Sequence, residues 1–279
     1  MQPWSLLDLA TRQWWRLTGR RIDPAGTESW LQAPTNRRGE VGDAWLDDLV
    51  SAGLARPDGE VAGLVPDLAA LDGPRFAAER VAPQVRTFYE RTAAHRMDVW
   101  TQWSPLLAPG GELIARFFGR RVKQLALPVQ PLAVSRGMTS AVRGVDDVPG
   151  GHRGTAWLRT LRSDGSTVFS GFYRVGRVPG SPQPHVSVAF PLEEGAVHVM
   201  LTPRVGDDGS LWLRSRSHRF GHDGAYVMVR SKDRWWAAMP PLAETFHVFV
   251  DDEGVLRTDH WLRFCGVPAL RLHYRIDRP

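Results

Sequence analysis

From Leu132 to Ile276 the chain repeats one pattern: a short run in which apolar and polar residues alternate, then a turn. The runs are LAVSRGMTSAVRG, TAWLRTLR, TVFSGFYRVG, HVSVAF, AVHVMLTPRV, SLWLRSRSHRF, AYVMVR, ETFHVFVDD, VLRTDHWLRF and ALRLHYRI. Turn signals separate them: Ser-Asp-Gly at 163–165, Pro-Gly-Ser at 179–181, Asp-Asp-Gly at 207–209, His-Asp-Gly at 222–224 and Asp-Glu-Gly at 252–254. Alternation with period two sends successive side chains to opposite faces of a half-buried strand. About ten strands joined by such short links predict an antiparallel meander. A twisted sheet of that size closes into a barrel or splits into a sandwich. With helices ahead of it, the expected class is α+β: an N-terminal helical region, then a large antiparallel β-barrel-like sheet, lipocalin-like or START-like.

The first 75 residues read differently. Ser5 to Leu17 has apolar residues near helical spacing, with Ser5 as N-cap. A second helix is expected over about Asp43 to Ala52, ended by Gly53. In LARPDGEVAGLV, Pro-Asp-Gly between two apolar runs signals a hairpin. Helix plus hairpin suggests a helical cap or a degenerate winged-helix-like module over 1–75. The helix in the recognition position carries Asp47 and Asp48 and no Arg or Lys, which argues against DNA. LDGPRF, at 71–76, marks the expected boundary to a second domain, 76–279, of two helices plus the barrel. Those helices are ERVAPQVRTFYERTAAHRMDVWTQW, ending in a bend, and APGGELIARFFGRR.

The net charge is +5, but only two of the 35 basic residues are lysine, Lys123 and Lys232. That bias fits a GC-rich coding sequence, so the basic balance is weak support for nucleic acid. No run of 18 apolar residues exists, so no transmembrane segment is expected. The N-terminus lacks the layout of a secretory signal, and a lone cysteine, Cys265, fits a reducing cytoplasm. There is no nucleophile elbow, P-loop, zinc-protease helix or dinucleotide fingerprint. Neither an organic cofactor nor a metal is expected.

The segments DVWTQWSP (98–105), ARFFGRRVKQLALP (115–128), SRGMTS (135–140), AWLRTLR (156–162), GFYRV (171–175), SLWLRSR (210–216) and GVLRTDHWLRFCGVPALRLHYRI (254–276) resemble an uncharacterised bacterial domain-of-unknown-function family common in high-GC bacteria. The resemblance runs from about Val85 to the end. It implies no activity, and no residue role follows from it.

Candidate site residues come from strand faces. In VLRTDHWLRF an otherwise apolar face carries Thr258 and His260; in ALRLHYRI the apolar face carries Tyr274. The link CGVP is short, so the two strands should pair as a hairpin, with His260 and Tyr274 entering one interior at similar distances from the turn. They either bond each other in a finished core or form an acid/base pair facing a cavity. Glu244 is a third candidate catalytic group if desolvation raises its pKa. Arg136 is a candidate for holding a carboxylate or phosphate through bidentate bonds, with a structural role as the commoner alternative among 33 arginines. Tyr173 lies beside Gly171, which marks a bulge or a close approach, and His198 is a further polar candidate. Trp100 and Trp103, at helical spacing, are candidates to plug the barrel or touch ligand, with plain helix-to-sheet packing as the commoner alternative, and His95 and Asp98 can meet at i, i+3. The expected function is a cofactor-independent enzyme acting on a hydrophobic small molecule by acid/base chemistry (cyclisation, isomerisation or dehydration). The alternatives are a carrier or sensor of a lipophilic molecule and a structural protein with a filled barrel.

Overall fold

The computed structural model describes residues 6–40, 42–56, 63–104, 137–148, 151–165 and 167–278. In chain order they hold α1 (Leu6–Thr18), β1 (Arg20–Ile22), α2 (Asp47–Ser51), α3 (Pro83–Glu90) and β2 (Arg96–Trp103). Then come β3 (Met138–Val148), β4 (Gly151–Leu161), β5 (Thr167–Gly176), β6 (His185–Leu192), β7 (Gly195–Val205) and β8 (Leu211–Ser215). The chain closes with β9 (Gly224–Ser231), β10 (Arg234–Ala238), β11 (Leu242–Val250), β12 (Leu256–Phe264) and β13 (Val267–Asp277). The class is α+β.

Each of the ten expected runs holds a strand within its described residues, SLWLRSRSHRF only as far as Ser215, and the turn signals separate them as anticipated. The thirteen strands form one antiparallel sheet in the order β2-β13-β12-β11-β8-β7-β6-β5-β4-β3, with β9, β10 and β1 branching from β7. The sheet curls on itself. Its end strands β2 and β3 pack side by side without a hydrogen-bonded ladder among the described residues. Arg159 on β4, next to one end, reaches the ring of Tyr274 on β13, next to the other, at 5.4 Å. We call the gap between β2 and β3 the seam.

The concave side is largely filled by the chain itself. Leu64, Val65, Leu68, Leu71 and Phe76 join Val85, Phe88 and Tyr89 of α3 in the main core, against Val186, Val199, Leu213 and Leu272 from the sheet. The N-terminal residues cover part of the outer face. Ile22 and Leu31 pack on Met200, Tyr226 and Met228, and Trp45 and Leu46 pack on Ala156, Phe172 and Ala189.

Three expectations need correction. The helix over ERVAPQVRTFYERTAAHRMDVWTQW is confined to α3, a short 3-10 turn follows, and Arg96–Trp103 is strand β2. Pairing with β13 along its whole length decides this, because an extended backbone there satisfies both strands' polar groups. His95 and Asp98 therefore do not share a helical face; His95 Nδ1 lies 2.9 Å from the Arg91 carbonyl oxygen. The second helix near Asp43 is broken into a 3-10 turn at Ala44–Leu46 and the single turn of α2, before Gly53 at φ 68°. Finally, strands β1, β2 and β10 were not anticipated. Ser5, the hairpin at 57–62 and the helix APGGELIARFFGRR lie outside the described residues, and so does Arg136.

Candidate functional site: a polar cluster beside the seam

The hairpin β12–β13 turns on two residues only, Cys265 and Gly266, both at positive φ (50° and 77°). Such a turn matches the twist of the flanking strands and fixes their register. Phe264 then faces Val267, and after a bulge at Leu262/Arg263 Thr258 faces Tyr274 while His260 faces Leu272. His260 and Tyr274 thus enter the same face, two ladder positions apart and not directly opposite each other. They make no mutual hydrogen bond. His260 stacks on Phe246 at 3.8 Å, and its Nε2 stands 3.5 Å from a carboxylate oxygen of Glu244. Glu244 is buried on the neighbouring strand β11, where its backbone N–H donates to Ser215 Oγ at 3.1 Å.

Around Tyr274 the interior is polar. Thr258 and Tyr274 are buried. Burial raises the Tyr274 phenol above its usual pKa, and the positive charge of Arg159 partly offsets this. Tyr173 is pushed up more strongly by the same burial, with smaller contributions from Tyr89 and Tyr274. Both phenols are neutral at pH 7 and poised to donate. Tyr173, Trp157 and Phe169 form an edge-on aromatic group, Trp157 lying 5.3 Å from Phe169 and 5.7 Å from Tyr173. Gly171 makes the group possible. It is no bulge, since it pairs regularly with Trp157, but a Cβ there would stand 2.8 Å from the Phe169 ring and 3.4 Å from the Tyr173 ring.

Arg159 is the residue that sequence reasoning passed over. It is 4% exposed, and its guanidinium carbon lies 5.3 Å from the Trp157 ring and 5.4 Å from the Tyr274 ring. Its Nη2 is buried without a hydrogen-bond partner, and no carboxylate among the described residues is within ion-pair distance of it. A signal was present. In AWLRTLR, Arg159 shares strand parity with Trp157 and Leu161, so it had to enter the same interior. Further buried polar atoms without partners are Thr101 Oγ1 and Trp103 Nε1, on the inward parity of β2, and His260 Nε2.

A cleft of about 350 Å³ opens at the seam. Ala93, Met97, Met138 and Ser140 contribute to its walls, His95, Arg96 and Arg162 also line it, and it extends to Arg159. None of the described residues that line it is a carboxylate. Trp103 has the parity of the interior, whereas Trp100 projects to the outer face, 53% exposed, with its ring 6.0 Å from His273. The two tryptophans therefore do not act as a pair. Glu244, His260 and Tyr274 come together inside the sheet, but none of them lines this cleft or the larger one of about 560 Å³ beside β1 and β10. That larger cleft carries both charge signs, and its Glu28 is already engaged with Arg20, Thr27 and the Asp23 backbone. His198 lies on the other side of the sheet, fully buried, with Nε2 2.6 Å from Ser187 Oγ. Among the described residues no group of His, Cys, Asp and Glu could hold a metal, and no helix is long and apolar enough to cross a membrane.

No family model matches the chain, and no solved structure matches it. An uncharacterized membrane protein of Bacillus subtilis (strain 168), YndJ, is 28% identical over 240 residues. The match covers 85% of this chain and 41% of that protein, so the chain spans less than half of its relative's length.

Proposed function

We propose that this chain binds a lipophilic small molecule, taken up through the cleft at the seam and held against the aromatic and methionine side chains behind it. One observation carries the reading: a cleft of useful size, lined by Met97 and Met138, reaches buried Arg159, whose Nη2 has no hydrogen-bond partner among the described residues. Binding pockets are typically apolar concavities with a few convergent polar groups. The relative in Bacillus subtilis is described as a membrane protein, and a chain working beside a membrane has lipophilic molecules within reach. A cytoplasmic setting, expected from the sequence, is compatible with a site on the inner membrane surface.

The approach of Glu244 to His260 favours a second reading, a cofactor-independent enzyme. Glu244 would orient the imidazole as acid or base, and Tyr274, protonated at neutral pH, would donate to a developing oxyanion. Isomerisation, cyclisation and dehydration all fit such a set.

Mass spectrometry of small molecules that copurify with the protein tests both readings. A stoichiometric lipophilic compound is the expected result; an empty extract, together with no binding of the neutral probe Nile red, would overturn both and leave a filled interior. Incubating the recovered compound with the protein separates them. A product that His260→Ala abolishes, with binding retained, means catalysis; unchanged compound means a carrier or sensor.

A further inference from the structure

Resting on the binding reading above, we propose that the ligand is an anion: a lipophilic molecule ending in a carboxylate, which Arg159 receives at the inner end of the seam cleft. The case is built from charge and burial. A guanidinium is charged at any pH a protein meets, and removing it from water without a counter-charge is costly. Arg159 is 4% exposed, lies over two aromatic rings, and has no carboxylate within ion-pair distance among the described residues. Its Nη2 has no protein acceptor. Nearby, Glu244 bears on Tyr173 and Tyr274 but makes its close approach to His260 instead.

The charged part of the remaining lining has the same sign. Arg96 and Arg162 line the cleft beside His95, whose pKa burial lowers so that it stays neutral, and among the described residues no acidic one does. An incoming anion is therefore drawn toward the seam and then meets a guanidinium that bonds Tyr274 but keeps Nη2 without a partner among the described residues, in a low-dielectric setting where a charge-assisted bond to a carboxylate gains most. Ala93, Met97 and Met138 suit the hydrocarbon part, methionine above all because its flexible thioether adapts to chains of differing shape. One deep guanidinium balances one negative charge. That favours a carboxylate over a phosphate monoester, which carries nearly two.

The test uses the whole chain, delipidated, and two fluorescent probes that differ only at one end: cis-parinaric acid and cis-parinaryl alcohol. The acid is expected to bind at least tenfold more tightly than the alcohol. Decanoate should displace it more readily than decyl phosphate. Arg159→Gln should cancel the preference for the acid while sparing the alcohol, Arg159→Lys should keep part of it, and Arg204→Gln, at an exposed position of β7 away from the cleft, should leave it intact. Equal binding of acid and alcohol overturns the anion proposal and leaves the lipophilic site standing. Binding of neither overturns both. A preference that survives Arg159→Gln, or decyl phosphate displacing the probe more readily than decanoate, also refutes it. Should both Arg159 variants fail to fold, a fatty acid with a diazirine beside its carboxylate decides the matter on the native protein: crosslinks within 93–97 or 138–162 support the assignment, and crosslinks confined elsewhere sink it.

Discussion

His198 shows how one buried side chain sets a property of the protein as a whole. It is enclosed between β7 and the N-terminal cover, and burial, reinforced by the charge of Arg174, lowers its pKa from 6.5 to about 3. The folded protein therefore holds it neutral where the unfolded chain protonates it. Its contribution is complete above pH 6.5 and is lost as the pH falls toward 3, by about 2 kcal/mol at pH 5. His185 and His247 are lowered in the same direction, also mainly by burial. Urea midpoints at pH 7.5 and pH 5.0 check this. His198→Gln should remove part of the acid sensitivity, and an unchanged difference between the two midpoints would contradict the assignment. At this scale strand parity was a sound guide. Thr258, His260 and Tyr274 all face inward, as their alternation required. Arg159 was hidden because both faces of AWLRTLR are largely apolar, so its arginine read as an ordinary solvent-facing residue among many. The placement of Glu244 against His260 was not legible, since it depends on which strand lies beside β12, and chain order alone does not state that.

Elements were legible where turns punctuate them and obscure where they do not. Strand β2 follows a helix directly, and Trp100 and Trp103 stand at a spacing that suits a helix as well as a sheet. The alternation of Met97, Val99, Thr101 and Trp103 was there to be read, but only pairing with β13 makes it decisive. The last hairpin shows the reverse dependence, in which two residues fix eighteen others. Cys265 sits at φ 50°, a conformation that costs most residues about 1 kcal/mol and that asparagine tolerates better. Asn-Gly is the preferred pair for this turn. Cys265→Asn should therefore raise stability by about 0.5–1 kcal/mol, and Cys265→Val, β-branched in the same conformation, should lower it by at least as much. Equilibrium denaturation of the two variants provides the comparison. If Asn proves no better than Val, the turn geometry that places Tyr274 opposite Thr258 is wrong.

At the scale of the molecule, the question is how the N-terminal residues belong to the sheet. Local pattern suggested a cap or separate module, because hydrophobic periodicity describes an element and not its partner. Three kinds of contact tie the segment down. Strand β1 pairs with β10, the Asn36 N–H donates to the Leu192 carbonyl, and Arg12 donates to the carbonyls of Glu193, Glu194 and Arg230. A further, buried link is Trp45, 5% exposed, whose indole N–H donates to Ser170 Oγ at 2.9 Å and whose ring meets Phe172 edge-on at 6.0 Å. Ser170 and Phe172 belong to β5, the strand that carries Tyr173 on its opposite face, so the outer cover and the inner aromatic group share one backbone. Trp45→Ala removes a large buried ring and leaves the serine hydroxyl unpaired, a loss of about 3–5 kcal/mol. If cover and sheet unfold together, the variant shows one transition, its midpoint lowered and its denaturant slope unchanged, because the same surface is exposed at once. A separate early transition, with the sheet's own midpoint unaltered, would instead mean that the first residues come away alone and that the site behind β5 stands without them.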